Sequence, residues 1–298
     1  MNVLAAFENG AVLLLLPPLL PGIIGKTKAV FGGRKGPPFL QSYHDILKLV
    51  GKGAVYSRTT TAMFRLGPVL SLAALMVAGA LVPLAHDSPT SFPGDALLFA
   101  YLLGLARFAT MAAALDAGSS FEGMGASREA AFSSLAEPAL VLALAALFRA
   151  TGGLSLNRMF GGAQWSVSGA GLVLIGGGLF LVLLSENSRI PFDDPATHLE
   201  LTMIHEVMTL DHGGPDLAFI LYGSSLKLLL WSSLLVRLLV PLPPGALGWA
   251  VWTGGVAALA AAVGVVESSM ARLKMTRVPQ VLVLAVCAAA FAVMLALK

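Results

Sequence analysis

Eight stretches of this 298-residue chain are apolar for long enough to cross a lipid bilayer, which takes a helix of about 20 mostly apolar residues. They fall near 3–24, 66–84, 96–116, 135–150, 168–185, 217–240, 246–267 and 279–297, the fourth being short. Hydrophobic residues make up 57% of the chain and charged ones only 12%, against roughly 25% charged in soluble domains. The expected fold is all-α and polytopic: about eight transmembrane helices in a single domain over residues 1–298. No internal repeat is evident, which counts against an inverted-repeat transporter. The first basic residue, Lys26, follows the first apolar stretch instead of preceding it, so no signal peptide is expected.

The basic residues fall unevenly between the spans. Thirteen of the 19 lie in alternate loops, at 25–65, 118–134, 185–216 and 268–278. The positive-inside rule places those odd-numbered loops in the cytoplasm and both termini outside, in a cytoplasmic (inner) membrane. The first loop carries a further element. In GRKGPPFLQSYHDILKLV, a Gly-Pro-Pro turn precedes a segment whose Phe39, Tyr43, Ile46, Leu47 and Val50 share one helical face. Such a helix lies along the membrane surface, either as an anchor or as a lip under which a partner or amphipathic ligand docks.

Ionisable groups inside the spans are costly and usually functional. Arg107 lies mid-span, with Asp116 nine residues on, roughly 13.5 Å along a helix, too far for a direct pair. Glu137 in AEPAL, Lys227, Glu8 and Glu267 complete the set. Each alone can snorkel or bond a neighbouring helix; together they outline a file of protonatable groups. The Gly/Ser-rich loop Gly118–Ser134 brings Glu122 and Glu129 towards Glu137.

Polar character is densest in Ser185–Asp216, which holds seven of the 16 carboxylates and three of the five histidines. Asp194-Pro195 reads as a helix entry, and a helix over about 195–210 is expected. It sets His198, His205 and Glu206 on a polar stripe and Glu200 on the apolar side. His198 and His205 are seven residues apart, about 10.5 Å along the axis, and no HExxH motif is present, so no metal site is expected. The acidic loop argues against nucleic-acid binding. The single cysteine, Cys287, cannot build a disulfide, a four-thiolate zinc site or an iron–sulfur cluster alone, which moves any electron carriers onto partners.

The stretches GRKGPPFLQSYHDILKL, GASREAAFSSLAEPAL and SENSRIPFDDPATHLELTMIHEVMTLDHGGPDLA resemble signatures of the complex I subunit 1 family. The PATHLELTMIHE core resembles the formate hydrogenlyase subunit 4 branch, the membrane anchor of group 4 [NiFe]-hydrogenases. The resemblance implies a membrane-arm subunit of an oxidoreductase complex, coupling electron transfer to proton translocation with no cofactor of its own. It implies partners as well: hydrogenase-like large and small subunits, a ferredoxin-like iron–sulfur subunit and antiporter-like membrane subunits. Iron–sulfur clusters and a nickel–iron site would sit on those partners, and a hydrogenase-related arm without nickel is a close variant.

The motif positions that match are Glu137, Glu186, Arg189, Asp193 and Glu200. With Glu122, Glu129, Asp116, Arg107 and Lys227 the carboxylates among them make the candidate proton path. Arg189, His198, His205, Glu206 and Asp211 make the candidate docking loop. The respiratory branch carries further glutamates where this chain has Ala196 and His198, which speaks against its quinone site. Two alternatives stay open: a quinone-site subunit of an NADH dehydrogenase-like complex, and a stand-alone proton-coupled transporter using Arg107 and Glu137.

Overall fold

The computed structural model describes residues 3–194 and 203–297. The expected first span is broken. Helix α1 (Val3–Leu15) and helix α2 (Leu19–Phe31) meet at a 46° bend. Pro17 and Pro18 lack the N–H groups a continuing helix needs, and their rings clash with the preceding turn. The surface helix appears as α3 (Gln41–Val50), with Phe39, Leu47 and Val50 exposed and Tyr43 donating to the Leu15 carbonyl at the α1–α2 break.

Seven further helices are long and apolar enough to cross a membrane, and the bent α1–α2 pair makes an eighth. They are α4 (Ala62–Leu81), α5 (Asp95–Asp116), α6 (Ser120–Thr151), α8 (Gly169–Glu186), α9 (Gly214–Leu239), α10 (Ala246–Ser269) and α11 (Val278–Ala296). A short helix, α7 (Leu156–Ser166), fills a connection the sequence leaves unassigned and buries Leu156, Met159, Phe160 and Ala163. No strand occurs among the described residues. The protein is an all-helical, multi-pass membrane protein.

α9 is the central column. Every residue from Leu228 to Leu238 is buried, and the helix packs against α4, α8 and α10. α4 and α5 approach closely because Gly67 faces Ala109 and Ala113; a Cβ there would lie 2.6 Å from the Ala113 methyl. The two helices are also tied end to end. Asp116, in the last turn of α5, accepts from Thr61 N (2.7 Å) and Phe64 N (3.0 Å) and so caps α4. At the other end Asp95, fully buried, accepts from Leu156 N at 2.6 Å.

Two expectations about the polar segments need correction. Residues 118–134, expected as a loop, are helical from Ser120, and α6 runs 32 residues, about 48 Å. That exceeds the roughly 30 Å apolar thickness of a bilayer, so one end of α6 stands clear of it. The helix forms in spite of its glycines and serines because its buried face holds Gly125, Ala126, Glu122 and Glu129. The expected helix over 195–210 is not α-helical in its described part, which is a single 3₁₀ turn at Glu206–Thr209. Asp193 is the cause. Its carboxylate accepts from Ile204 N (3.0 Å) and His205 N (3.2 Å), donors that a helix would have bonded to its own carbonyls. His198 and Glu200 lie outside the described residues.

Gly125 seats the 203–209 segment on α6. A Cβ there would come within 2.8 Å of Met208 Cγ and 2.9 Å of the Ile204 carbonyl, whereas Gly123 has open space. Opposite outcomes are therefore expected for the same change two residues apart. Gly123→Ala should raise the melting temperature, since alanine favours a helix by about 1 kcal/mol over glycine. Gly125→Ala should lower it and speed hydrogen exchange in 203–212. Thermal unfolding and exchange in detergent measure both.

Candidate functional site

α5, α6, α8 and α9 converge on one buried cation. Arg107 lies twelve residues into α5, and its side chain is 8% exposed. Its planar fork reaches three carboxylates on two other helices. Nη1 donates to Glu137 of α6, Nη2 to Glu186 at the end of α8, and Nε lies 3.3 Å from Glu129 of α6. The last contact is not aligned as a hydrogen bond. Lys227 of α9 reaches Glu186 at 3.5 Å.

His205, in the segment between α8 and α9, brings Nε2 to 3.3 Å from Glu129, also without hydrogen-bond alignment. Three carboxylates against Arg107 and Lys227 leave one unbalanced negative charge unless His205 or a carboxylate carries a proton. Burial is uneven across the group. Glu129 and Glu186 are 7% and 5% exposed, whereas the Glu137 side chain is 54% exposed on the flank of the bundle.

Other carboxylates hold the surrounding segment. Besides its two amides, Asp193 pairs with Arg272 at 3.0 Å, tying the start of the segment to the turn before α11. Arg189 pairs with Glu267 of α10 (3.4 Å), which Lys28 of α2 also reaches (2.8 Å). Glu122 is fully buried in the first turn of α6 and accepts from Asp211 N at 3.0 Å. A cavity of about 330 Å³ opens between α3, α5 and α9; Asp45, Arg107, Glu186, His205, Glu206 and Lys227 lie on its wall.

The family model described as NADH dehydrogenase matches residues 6–298 of this chain. The chain belongs to that family, whose members are complex I subunit 1-like. It is 33% identical over 245 residues to Hydrogenase-4 component C of Escherichia coli (strain K12), covering 80% of this chain and 76% of the relative. Formate hydrogenlyase subunit 4 of the same organism is 30% identical over 299 residues, 94% of each chain. The fold resembles a chain in the structure of the membrane-bound sulfane sulfur reductase, an archaeal respiratory membrane complex, with a TM-score of 0.82 over 99% of both chains at 21% identity. The protein is a complex I-like membrane subunit, homologous to members of oxidoreductase complexes.

Of the residues singled out in this family member's sequence, Arg107, Glu129, Glu137, Glu186 and Lys227 come together in one group. Asp116 does not join it; it caps α4. Glu122 sits two turns before Glu129 on α6 and bonds the backbone of the far end of the segment. Arg189 and Asp193, assigned to docking and to the proton path, are committed to Glu267 and Arg272 as internal struts. His205, assigned to docking, instead faces Glu129. Only the fold could reveal that, since nothing in its spacing connects it with α6.

His212 closes this corner. It stacks on Phe64 with ring centroids 4.0 Å apart, and burial pushes its pKa below the ordinary 6.5, against smaller upward pulls from Asp216 and Asp211. The unfolded chain therefore binds this proton more readily than the folded one. Stability is complete above about pH 6.5 and falls as the pH drops below it, levelling off beneath the depressed folded value. Protease cleavage between 203 and 214 should accelerate from pH 7.5 to pH 5.5. In His212→Phe, which keeps the stack without the titrating group, that acceleration should disappear.

Proposed function

We propose that this chain is the arm-anchoring, proton-coupling membrane subunit of an energy-converting hydrogenase of the formate hydrogenlyase type. The observation that carries this is the Arg107 group: three carboxylates gathered on Arg107 and Lys227 and touched by a histidine from the polar segment. The names of the two Escherichia coli relatives supply the class of complex. On this reading α3 and the polar segments around 118–122, 187–194 and 203–213 face the cytoplasm with both termini outside. They dock hydrogenase-like and ferredoxin-like iron–sulfur subunits, and antiporter-like membrane subunits lie alongside.

The chain's own work is electrostatic. When the partner arm is reduced, a shift of the 203–209 segment moves His205 relative to Glu129. Near a protein surface a unit charge about 4 Å away is worth roughly 4 kcal/mol. That movement changes the charge balance around Glu129, Glu137 and Glu186, and a proton enters or leaves to restore it. Glu137 is the carboxylate placed to pass it on. A carboxylate half exposed at membrane depth is costly against lipid and requires a polar neighbour, which an adjoining membrane subunit supplies.

A second reading, a quinone-site subunit, is favoured by one feature: the 330 Å³ cavity that runs beneath α3 to His205 and Lys227. Metal analysis and inhibitor sensitivity of the purified complex separate the two. Nickel with hydrogen evolution supports the first, and inhibition by quinone-site ligands without nickel supports the second.

For coupling, Glu137→Gln is expected to leave electron transfer near its normal rate while proton translocation into vesicles falls at least about tenfold. Full pumping in that variant would remove Glu137 from the route. His205→Gln should uncouple in the same way, with the complex still assembled.

A further inference from the structure

A second charged pocket lies on the face of the bundle opposite His205. Arg237 sits in the last turn of α9, about 35 Å along the helix from Gly214. Its side chain is 9% exposed. Nη2 donates to Asp87, Nη1 lies 3.4 Å from the Ala85 carbonyl, and the Nε–H has no partner. Beside it opens a cavity of about 290 Å³ bordered by Asp87, Gly161, Gln164, Trp165 and the 240–242 turn. None of these residues takes part in the Arg107 group.

The pocket is built rather than incidental. Gln164 of α7 donates to the Arg237 carbonyl at 2.8 Å, locking α7 against α9. Asn157 exchanges two hydrogen bonds with the Ser88 backbone (2.9 and 3.0 Å), fixing the loop that carries Asp87. Gly161 keeps the guanidinium open: a Cβ there would sit 3.2 Å from Nη2 and 3.8 Å from Asp87 Oδ1. Trp165, 84% exposed, stands at the rim, a residue type enriched at membrane–water boundaries.

Charge selects the ligand. A simple anion drawn to Arg237 would be repelled by Asp87, and a simple cation drawn to Asp87 would be repelled by Arg237. A zwitterion carrying a phosphate and a protonated amine satisfies both. The phosphate accepts from the guanidinium N–H groups not taken by Asp87 and the Ala85 carbonyl, and the ammonium donates to the 69%-exposed Asp87 carboxylate. A membrane phospholipid delivers such a head group to this depth with its acyl chains alongside Leu242 and the Trp165 rim. We propose that this pocket seats the phosphoethanolamine head group of a phospholipid, holding α7 and the 82–94 loop onto the end of α9.

The test uses the assembled complex in bilayer nanodiscs of mixed phosphatidylethanolamine and phosphatidylglycerol, with retained lipid read by native mass spectrometry after detergent transfer. Wild type should retain phosphatidylethanolamine in preference to phosphatidylglycerol. Gly161→Leu, which fills the approach and leaves both charges, should lower retention roughly fivefold, the scale of a partly exposed charge pair. Asp87→Asn should erase the preference for phosphatidylethanolamine over phosphatidylglycerol. Electron transfer should be unchanged in both variants. Equal retention in wild type and Gly161→Leu, a wild-type preference for phosphatidylglycerol, or displacement of the lipid by inorganic phosphate would each overturn the assignment.

Discussion

A guanidinium at membrane depth cannot stand alone, and Arg107 dictates much of what surrounds it. Neutralising it within a low-dielectric bundle requires carboxylates close enough to replace its water shell. α6 supplies Glu129 and Glu137 and α8 supplies Glu186, while Lys227 of α9 offsets part of the excess. Four helices are thereby fixed at one point. Arginine suits the place better than lysine, because its planar fork aims one Nη at Glu137 and the other at Glu186 while its Nε lies beside Glu129. Removing Arg107 would leave the buried Glu129 and Glu186 with only Lys227 to offset them, which is why the group is organised around it.

The same economy governs the segment that reaches the group from outside the bundle. Its order comes from side chains that satisfy its backbone: Asp193 holds the amides of Ile204 and His205, Arg128 donates to the Met203 carbonyl at 2.8 Å, and Glu122 holds the amide of Asp211. Gly125 then lets it lie directly on α6. A segment anchored by a few charge-assisted bonds, with little regular structure of its own, yields more readily than a helix. Such a segment suits the role proposed for it, in which a small shift moves His205 relative to Glu129.

How much of this was legible in the sequence follows from which interactions are local. The spans were legible, because 20 apolar residues announce a bilayer wherever they fall; so were the amphipathic face of α3 and the ionisable residues that had no business in lipid. The break at Pro17-Pro18 was local too, yet the surrounding apolar run masked it. The rest depended on tertiary partners. Gly118–Ser134 has a loop's composition and becomes helical because Glu122 and Glu129 bury against a segment some 80 residues further on. The Asp194-Pro195 entry signal was real as a pattern, but Asp193 captures the Ile204 and His205 amides and the described part turns 3₁₀. Asp116 and Arg189 read as functional charges and serve as a cap and a strut. Arg237 lies inside an apolar run, and its meaning rests on Asp87, 150 residues away.

These placements bear on the direction in which charge would travel. Inward from the cavity beneath α3, Lys227, Glu186, Arg107 and Glu137 form a continuous sequence of contacts, and its last member lies half exposed on the flank of α6. Along α9, by contrast, Lys227 and Arg237 are separated by a buried run in which Leu228 to Leu230 and Leu234 to Val236 flank the buried Ser232 and Ser233. In the proposed role, a proton taken up at the Arg107 group therefore has its low-cost way out sideways, through Glu137 to an adjoining subunit. In the two proposals taken together, Arg237 serves at the far face, and the few buried charges are divided between coupling at the Arg107 group and anchorage at the end of α9.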